Sequence, residues 1–397
     1  MRDGWKRVAL GEVTRESSIR VGDLEDEAVV LSSTKHHGLV RSDEYFKNRQ
    51  IHSDDISGYK LVRRGWFAYA TNHLTEGSIG LQEIADIACV SPIYTVFSCA
   101  PEIDANFMYR VLKSDAMLAS YGVHDQASVD RRGAVRYRDF KKIEVNLPPL
   151  AEQRRIAEIL DEVDTQIERE SAIAAKESLA SRGHVAILLD QAISAAMNWS
   201  SIGDEFAIQA GVTIGPDRAP ASAPHGYLRV ANVQKGFIES SDIAKLEIRD
   251  GDLPRWGLRC DDLLVVEGHA SPQEIGRCAR VEKNLEGLLY QNHLFRLRAL
   301  SMIPAFGEIW LNSRHARSYW LKMCSTSSGL HTINSKMLNG MPIPAISEEW
   351  QKRIVTTEQV CVQSRERTLG KIEKLESFKR ALVDDLLTGK VRVPTPA

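Results

Sequence analysis

At 397 residues the chain is too long for one ordinary core of ~100–150 residues, so two domains with connecting elements are expected. A content of 43% hydrophobic and 26% charged residues is that of a soluble globular protein, and a net charge of −2 gives no overall pull toward nucleic acid. No apolar run approaches the ~20 residues of a membrane span, and Met1-Arg2-Asp3-Gly4-Trp5-Lys6 lacks the apolar stretch of a signal peptide, so a cytoplasmic protein with no membrane partner is expected.

Along the first half, a loop from Ser32 to His37 follows an early strand, and residues 59–71, YKLVRRGWFAYAT, read as a turn and then a strand. Gly77-Ser78-Ile79-Gly80 comes next, then a strand-like run from Ala88 to Phe97 and a helix opening on Phe107-Met108-Tyr109. The polar stretch from Tyr121 to Arg132 reads as a loop. It runs into a basic segment, residues 131–142, with six cations and one acid, either a solvated face or a phosphate-contacting patch. Residues 146–156, NLPPLAEQRRI, turn from an extended proline-ended segment into a helix, and no proline interrupts the chain from Pro149 to Pro216. Ile156, Leu160, Val163 and Ile167 alternate steps of four and three, the spacing of a coiled-coil seam, with Gly183 as a break further on.

The second half repeats this order. Residues 256–268, WGLRCDDLLVVEG, answer 59–71; Gln273-Glu274-Ile275-Gly276 answers Gly77–Gly80; Leu288 to Leu297 answers the second strand-like run; and Ile309-Trp310 opens the helix. Ser325 to Asn334 is a small, polar loop matching Tyr121–Arg132. Residues 341–354, MPIPAISEEWQKRI, close the unit, and a second helix from about Glu348 to Leu387 is stopped by Thr388-Gly389-Lys390. Matching Trp5 to Trp199, Gly80 to Gly276 and Ile156 to Ile354 gives a spacing that drifts by only four residues, as small loop insertions would produce. Each helix, ~60–70 Å long with a narrow apolar stripe and charged flanks, cannot bury itself in one module, so antiparallel pairing of the two is expected. That pairing would place the modules at opposite ends of a common rod, related by an approximate two-fold axis.

The six cysteines (89, 99, 260, 278, 324 and 361) form no CxxC and no zinc-ligand cluster with histidines. No GxGxxG or GxxxxGK[ST] occurs. Asn146-Leu147-Pro148-Pro149-Leu150 has a leucine where a methyltransferase motif needs proline directly after the Asn, and no aromatic follows. Pro216-Asp217 lacks the nearby acid-x-Lys of a nuclease, and His36-His37 reads as a polar loop. No catalytic residue, metal or cofactor is expected, and the chain is read as not an enzyme.

Leu147-Pro148-Pro149-Leu150-Ala151-Glu152-Gln153-Arg154-Arg155-Ile156 resembles the start of a conserved region in the specificity subunits of type I restriction-modification systems. Tyr227-Leu228-Arg229-Val230-Ala231-Asn232-Val233-Gln234 is similar to the opening of their target recognition domains, and Phe378 to Val391 resembles their usual ending. The second junction, Ile343 to Gln351, departs from the PPLxEQ form, and only Ala28 to Lys35 stands where the first module should carry YLRVANVQ. The resemblance implies an α+β chain of two α/β target recognition domains, 1–147 and 199–344, and two long antiparallel coiled-coil helices, 148–198 and 345–397, in a pseudo-two-fold repeat. It implies a non-catalytic subunit in which each recognition domain reads half of a bipartite, asymmetric site on double-stranded DNA. The helices would set the spacer and dock two methyltransferase subunits, joined by restriction subunits.

Candidate DNA contacts are the polar groups hardest to explain as core: Ser33, Lys35 and His36; His124, Gln126, Ser128, Arg131 and Arg132; Asn232, Gln234 and Lys235; and Ser327, Ser328, His331, Thr332 and Asn334. Arginine suits guanine, and Gln or Asn suits adenine. Gln153, Arg154, Arg155, Ile156, Ile354, Leu382 and Leu386 are candidates for partner docking. A protein-interaction scaffold that reads no DNA is the alternative, with a DNA methyltransferase a remoter one.

Overall fold

A computed structural model describes residues 4–47, 52–124, 134–327 and 330–394. The chain forms two compact units: residues 1–171 with 370–397, and residues 172–369. Each holds one sheet-rich module and part of both long helices. Its strands are, in the first unit, β1 (Lys6–Ala9), β2 (Thr14–Ser17), β3 (Val29–Thr34), β4 (Gly38–Arg41), β5 (Lys60–Arg63), β6 (Phe67–Ala70), β7 (Ile79–Leu81), β8 (Ile87–Val90), β9 (Tyr94–Cys99) and β10 (Glu144–Leu147). The second unit has β11 (Trp199–Ser201), β12 (Phe206–Ala210), β13 (Pro224–Leu228), β14 (Ala244–Glu247), β15 (Leu263–Val266), β16 (Gly268–His269), β17 (Cys278–Arg280), β18 (Leu289–Tyr290), β19 (Leu294–Ala299), β20 (Ser325–Ser327), β21 (Leu330–Thr332) and β22 (Pro342–Pro344).

In the first unit a sheet of order β2-β9-β6-β7 packs on one of order β4-β3-β8-β5. Alternation along β6 explains the layers: Ala68 faces the other sheet, while Phe67 and Tyr69 face a core built with Phe107, Met108 and Phe140. The second unit repeats this with β12-β19-β15-β17 and β14-β13-β18, where Leu264 and Val266 lie between the sheets and Leu263 and Val265 meet the helices. Among the strands of the described residues, each module has one parallel pair in an otherwise antiparallel arrangement: β3 runs parallel to β8, and β13 parallel to β18. That shared exception sets Val30, opposite Cys89, in register with Tyr227, opposite Leu289, so the segment from Val30 onward is the counterpart of the YLRVANVQ segment.

Two correspondences read from residue type shift in the structure. Gly276 aligns with Gly77, not Gly80, because Ile79 and Cys278 pair with equivalent positions of β6 and β15; both glycines are left-handed, at φ +68° and +86°. Trp199 lies in β11, opposite Pro344, where the first unit has Arg7 opposite Asn146. Trp5 is instead 7% exposed beneath Gly389, whereas Trp199 is 52% exposed. The strand-like runs from Ala88 and from Leu288 each divide in two. The chain crosses from one sheet to the other at Ser91–Ile93 and at Gln291–His293.

The long helices run Leu150–Ala195 and Glu348–Leu387, the first passing through Gly183 without a break. Within the first unit they are antiparallel: Ile156, Ala157 and Leu160 share a core with Leu382, Val383 and Leu386, while Asp164 pairs with Lys379 and Glu170 with Lys371. Within the second, Val185, Leu189 and Ala192 pack with Ile354, and Glu177 accepts from Ser364 Oγ at 3.2 Å and Thr368 Oγ1 at 2.9 Å. No helix among the described residues is long and apolar enough to cross a membrane.

Candidate nucleic-acid interface

The segments after β3 and β13 are hairpin tips. In the first unit, β3 and β4 close around the exposed Lys35, His36 and His37, with the His37 amide donating to Thr34 Oγ1 at 3.0 Å. Left-handed Gly38 fits the turn because Tyr109 and Gly80 leave no room for a Cβ. Ser33 sits lower, its amide donating to Tyr94 Oη at 3.3 Å. In the second unit, Val233 bridges Ile238, and the Gln234 amide donates to Phe237 O at 2.9 Å around left-handed Gly236. Lys235 is exposed at that tip; desolvation and the neighbouring Arg317 and Arg182 hold its ammonium below the ordinary lysine range. An approaching anion would act against that shift.

Asn232 organises its loop. It is 3% exposed, accepts from Arg229 N at 2.8 Å, and donates to Glu239 O and Asp242 O at 2.9 Å each. Both amide protons and its oxygen are spent on the loop. Gln234 donates to Ala231 O at 2.7 Å but remains half-exposed.

Within the stretch expected as a loop, Ser325–Ser327 and Leu330–Thr332 are strands. Strands β20 and β21 form a hairpin whose β21 also pairs with β16, setting His331 opposite His269 and Thr332 opposite Gly268. His331 Nδ1 lies 3.7 Å from Cys324 Sγ, and His269 Nδ1 accepts from Ser271 N. Thr332 is half-buried. Asn334 caps the helix Ser335–Asn339, its side chain accepting from Met337 N at 2.9 Å, so that oxygen is committed to the cap. Ser327 ends β20, and Ser328 lies outside the described residues. Ile333 N donates to Glu267 O at 2.9 Å, and in the first unit Val135 N donates to Thr71 O at the same distance, so the segment after the helix Asp115–His124 re-enters the module at the equivalent point. His124 ends that helix; Gln126, Ser128, Arg131 and Arg132 lie outside the described residues. Among the described residues no three His, Cys, Asp or Glu side chains are arranged to hold a metal.

The docking candidates divide by burial. Ile156 and Leu386 are core residues of the first unit, where Leu382 packs partly buried against the same cluster, and Ile354 is a core residue of the second. Gln153 is buried as well: Oε1 accepts from Asp104 N at 2.9 Å, and Nε2 donates to Pro148 O at 2.9 Å and Glu102 O at 3.4 Å. Gln351 makes the matching bonds, accepting from Ile303 N at 2.9 Å and donating to Ile346 O at 3.3 Å. The two junctions are thus built alike although only the first spells PPLxEQ. Arg154 is exposed and Arg155 pairs with Glu158 at 3.0 Å, so these two arginines remain on the surface. Glu152, 2% exposed, was missed as a structural residue: Arg392 grips it through two bonds of 2.8 Å. Burial opposes its charge, yet that fork and the Val393 amide hold its carboxyl below the usual range.

Residues 62–176 match the model of the type I restriction modification DNA specificity domain. Over those residues the chain is similar to that domain. A curated relative, the type I restriction enzyme EcoKI specificity subunit of Escherichia coli, is 27% identical over 231 residues, 53% of this chain. The match spans 49%, about half, of that relative's length. Among solved structures, a chain from work on complex assembly and conformational transition of the type I R-M system has a TM-score of 0.63 at 16% identity, covering 98% of this chain and 99% of its own. The HsdS subunit from Thermoanaerobacter tengcongensis has a TM-score of 0.53 at 17% identity, with 98% of each chain covered. At these identities the likeness is one of fold, and it extends over both modules and both long helices. The kinship with type I specificity subunits expected from the junction and tail motifs stands.

Proposed function

We propose that this chain is the non-catalytic DNA-specificity subunit of a type I restriction-modification complex. Each module reads one half of a bipartite, asymmetric site on double-stranded DNA. The long helices set the spacer and dock two methyltransferase subunits, to which restriction subunits add. The observation that carries this reading is the contrast between scaffold and tip. The two modules agree in the order of one four-stranded sheet, in the parallel pairing of β3 with β8 and β13 with β18, and in their junction glutamines. They differ at the exposed tips, Lys35-His36-His37 against Gln234-Lys235-Gly236-Phe237. Like scaffolds with unlike tips suit two unlike half-sites, because donors and acceptors on base edges carry the sequence information. A base to be methylated leaves the stack for a pocket in the methyltransferase, so this chain needs no catalytic group of its own.

Methylome sequencing of cells expressing the chain with its neighbouring methyltransferase tests the proposal. One motif of two short, unlike halves at a fixed gap is expected. A continuous motif, or none, would refute it. A four-residue insertion after Glu170 lengthens the first helix by ~6 Å and should alter the gap while leaving both half-sites as they were.

A further inference from the structure

Ser78 and Arg277 occupy one position in the two units. Each directly follows a left-handed glycine, Gly77 or Gly276, and precedes the strand, β7 or β17, that pairs with β6 or β15. In each unit this side chain donates to the main chain that leads into a tip. Ser78 Oγ lies 3.2 Å from Ser33 O and 3.1 Å from Ser33 Oγ, one strand residue before the tip begins. Arg277 Nε donates to Val233 O at 2.6 Å and Nη2 to Val230 O at 3.0 Å, spanning the loop that Asn232 organises. In the first unit Lys113, the C-cap of the helix Ala105–Leu112, reinforces the serine: its ammonium donates to Lys35 O at 2.6 Å and Gly77 O at 2.7 Å. Desolvation lowers the Lys113 pKa, the signature of a charge turned inward onto carbonyls.

The Arg277 side chain is 8% exposed and its carboxylate contact among the described residues, Glu274, is at 3.4 Å. It therefore has no reach toward a phosphate, and its donors serve the loop backbone. Base reading requires side chains held to within about half an ångström of their working pose, which a tip on a short turn cannot supply for itself. We propose that Ser78 and Arg277 are equivalent positioning residues, each fixing the main chain of its own tip so that Lys35 and His36, or Gln234 and Lys235, meet base edges in one pose. The inference rests on the DNA-reading function above and adds where its precision is built.

The test uses the full chain assembled with its methyltransferase and a panel of duplexes carrying single-base changes in either half-site. Arg277→Met should reduce discrimination about tenfold in one half only, and the double variant Ser78→Ala/Lys113→Met should do so in the other half only. The salt dependence of binding should be unchanged, since no phosphate contact is lost. Arg277→Lys keeps one donor and should recover part of the discrimination; it carries the test if Arg277→Met fails to assemble. Uniform weakening across all duplexes with a flatter salt slope would make these residues phosphate contacts and overturn the proposal. Equal effects on both halves, or none, would overturn it too. A wild-type complex without selectivity in either half would instead sink the DNA-reading function itself.

Discussion

Replacing Gln153 by alanine should destabilise the first unit selectively. Two short bonds and one long one disappear, and they leave the Asp104 amide and the Pro148 carbonyl facing each other across an empty space. Each buried group left without a partner costs about 1–3 kcal/mol, so we expect ~2–4 kcal/mol for the pair, part of it recovered wherever water enters. Gln351→Ala removes one short bond and one of 3.3 Å, and should cost the second unit about 1–2 kcal/mol. Hydrogen exchange followed by mass spectrometry separates the two. The first variant should lose protection around the helix Ala105–Leu112 and the start of the first long helix, and the second around Pro304–Leu311 and Glu348 onward. A cost below ~0.5 kcal/mol for Gln153→Ala, or exposure appearing in the other unit, would refute the view that each junction is locked by its own buried amide.

Glu308 carries a pH dependence. Burial raises its carboxyl to about 6, against the pull of Arg280, and the nearby Glu358 pushes the same way as burial. A folded-state pKa above the unfolded one stabilises the protonated form. That stability is complete below pH 4.5 and is lost as pH rises through about 6. Denaturation midpoints of the second unit should fall over this window, and Glu308→Gln, which still accepts from Arg280 N, should flatten the fall. Gly276→Ala should cost about 2–4 kcal/mol, because it forces a left-handed residue and sets a Cβ 2.3 Å from Trp320 Nε1; thermal unfolding of the second unit reads it out.

The helices were legible because their signals are local: a proline-free stretch, periodic apolar residues and a Gly stop end close to where Leu150–Ala195 and Glu348–Leu387 do. The repeat was legible as an order of features, but its register was not. Matching glycine to glycine by residue type ignores φ and strand pairing, and both separate Gly77 from Gly80. Ser325 to Thr332 looked like a loop since its small polar residues carry little strand propensity; the partner that makes it a sheet, β16, lies far away in sequence. The same limit governs the candidate site. Asn232 and Gln153 have the chemistry of contact residues, and nothing in their neighbours' identities announces that distant carbonyls consume it. Lys35, His36 and Lys235 kept their exposure because they lie on turns, which sequence does reveal.

The division of the chain into 1–171 plus 370–397 and the uninterrupted 172–369 has a consequence for biosynthesis. A ribosome delivers every residue of the second unit before it delivers the segment that covers Ile156 and Leu160. The module made first is thus the last to close, and its helix waits with an apolar stripe exposed until Leu382, Leu386 and Arg392 emerge. Vectorial synthesis makes the tail a timing element. A chain stalled before residue 370 carries a finished second unit and an open first one, a species that chaperones and proteases can tell from the completed protein.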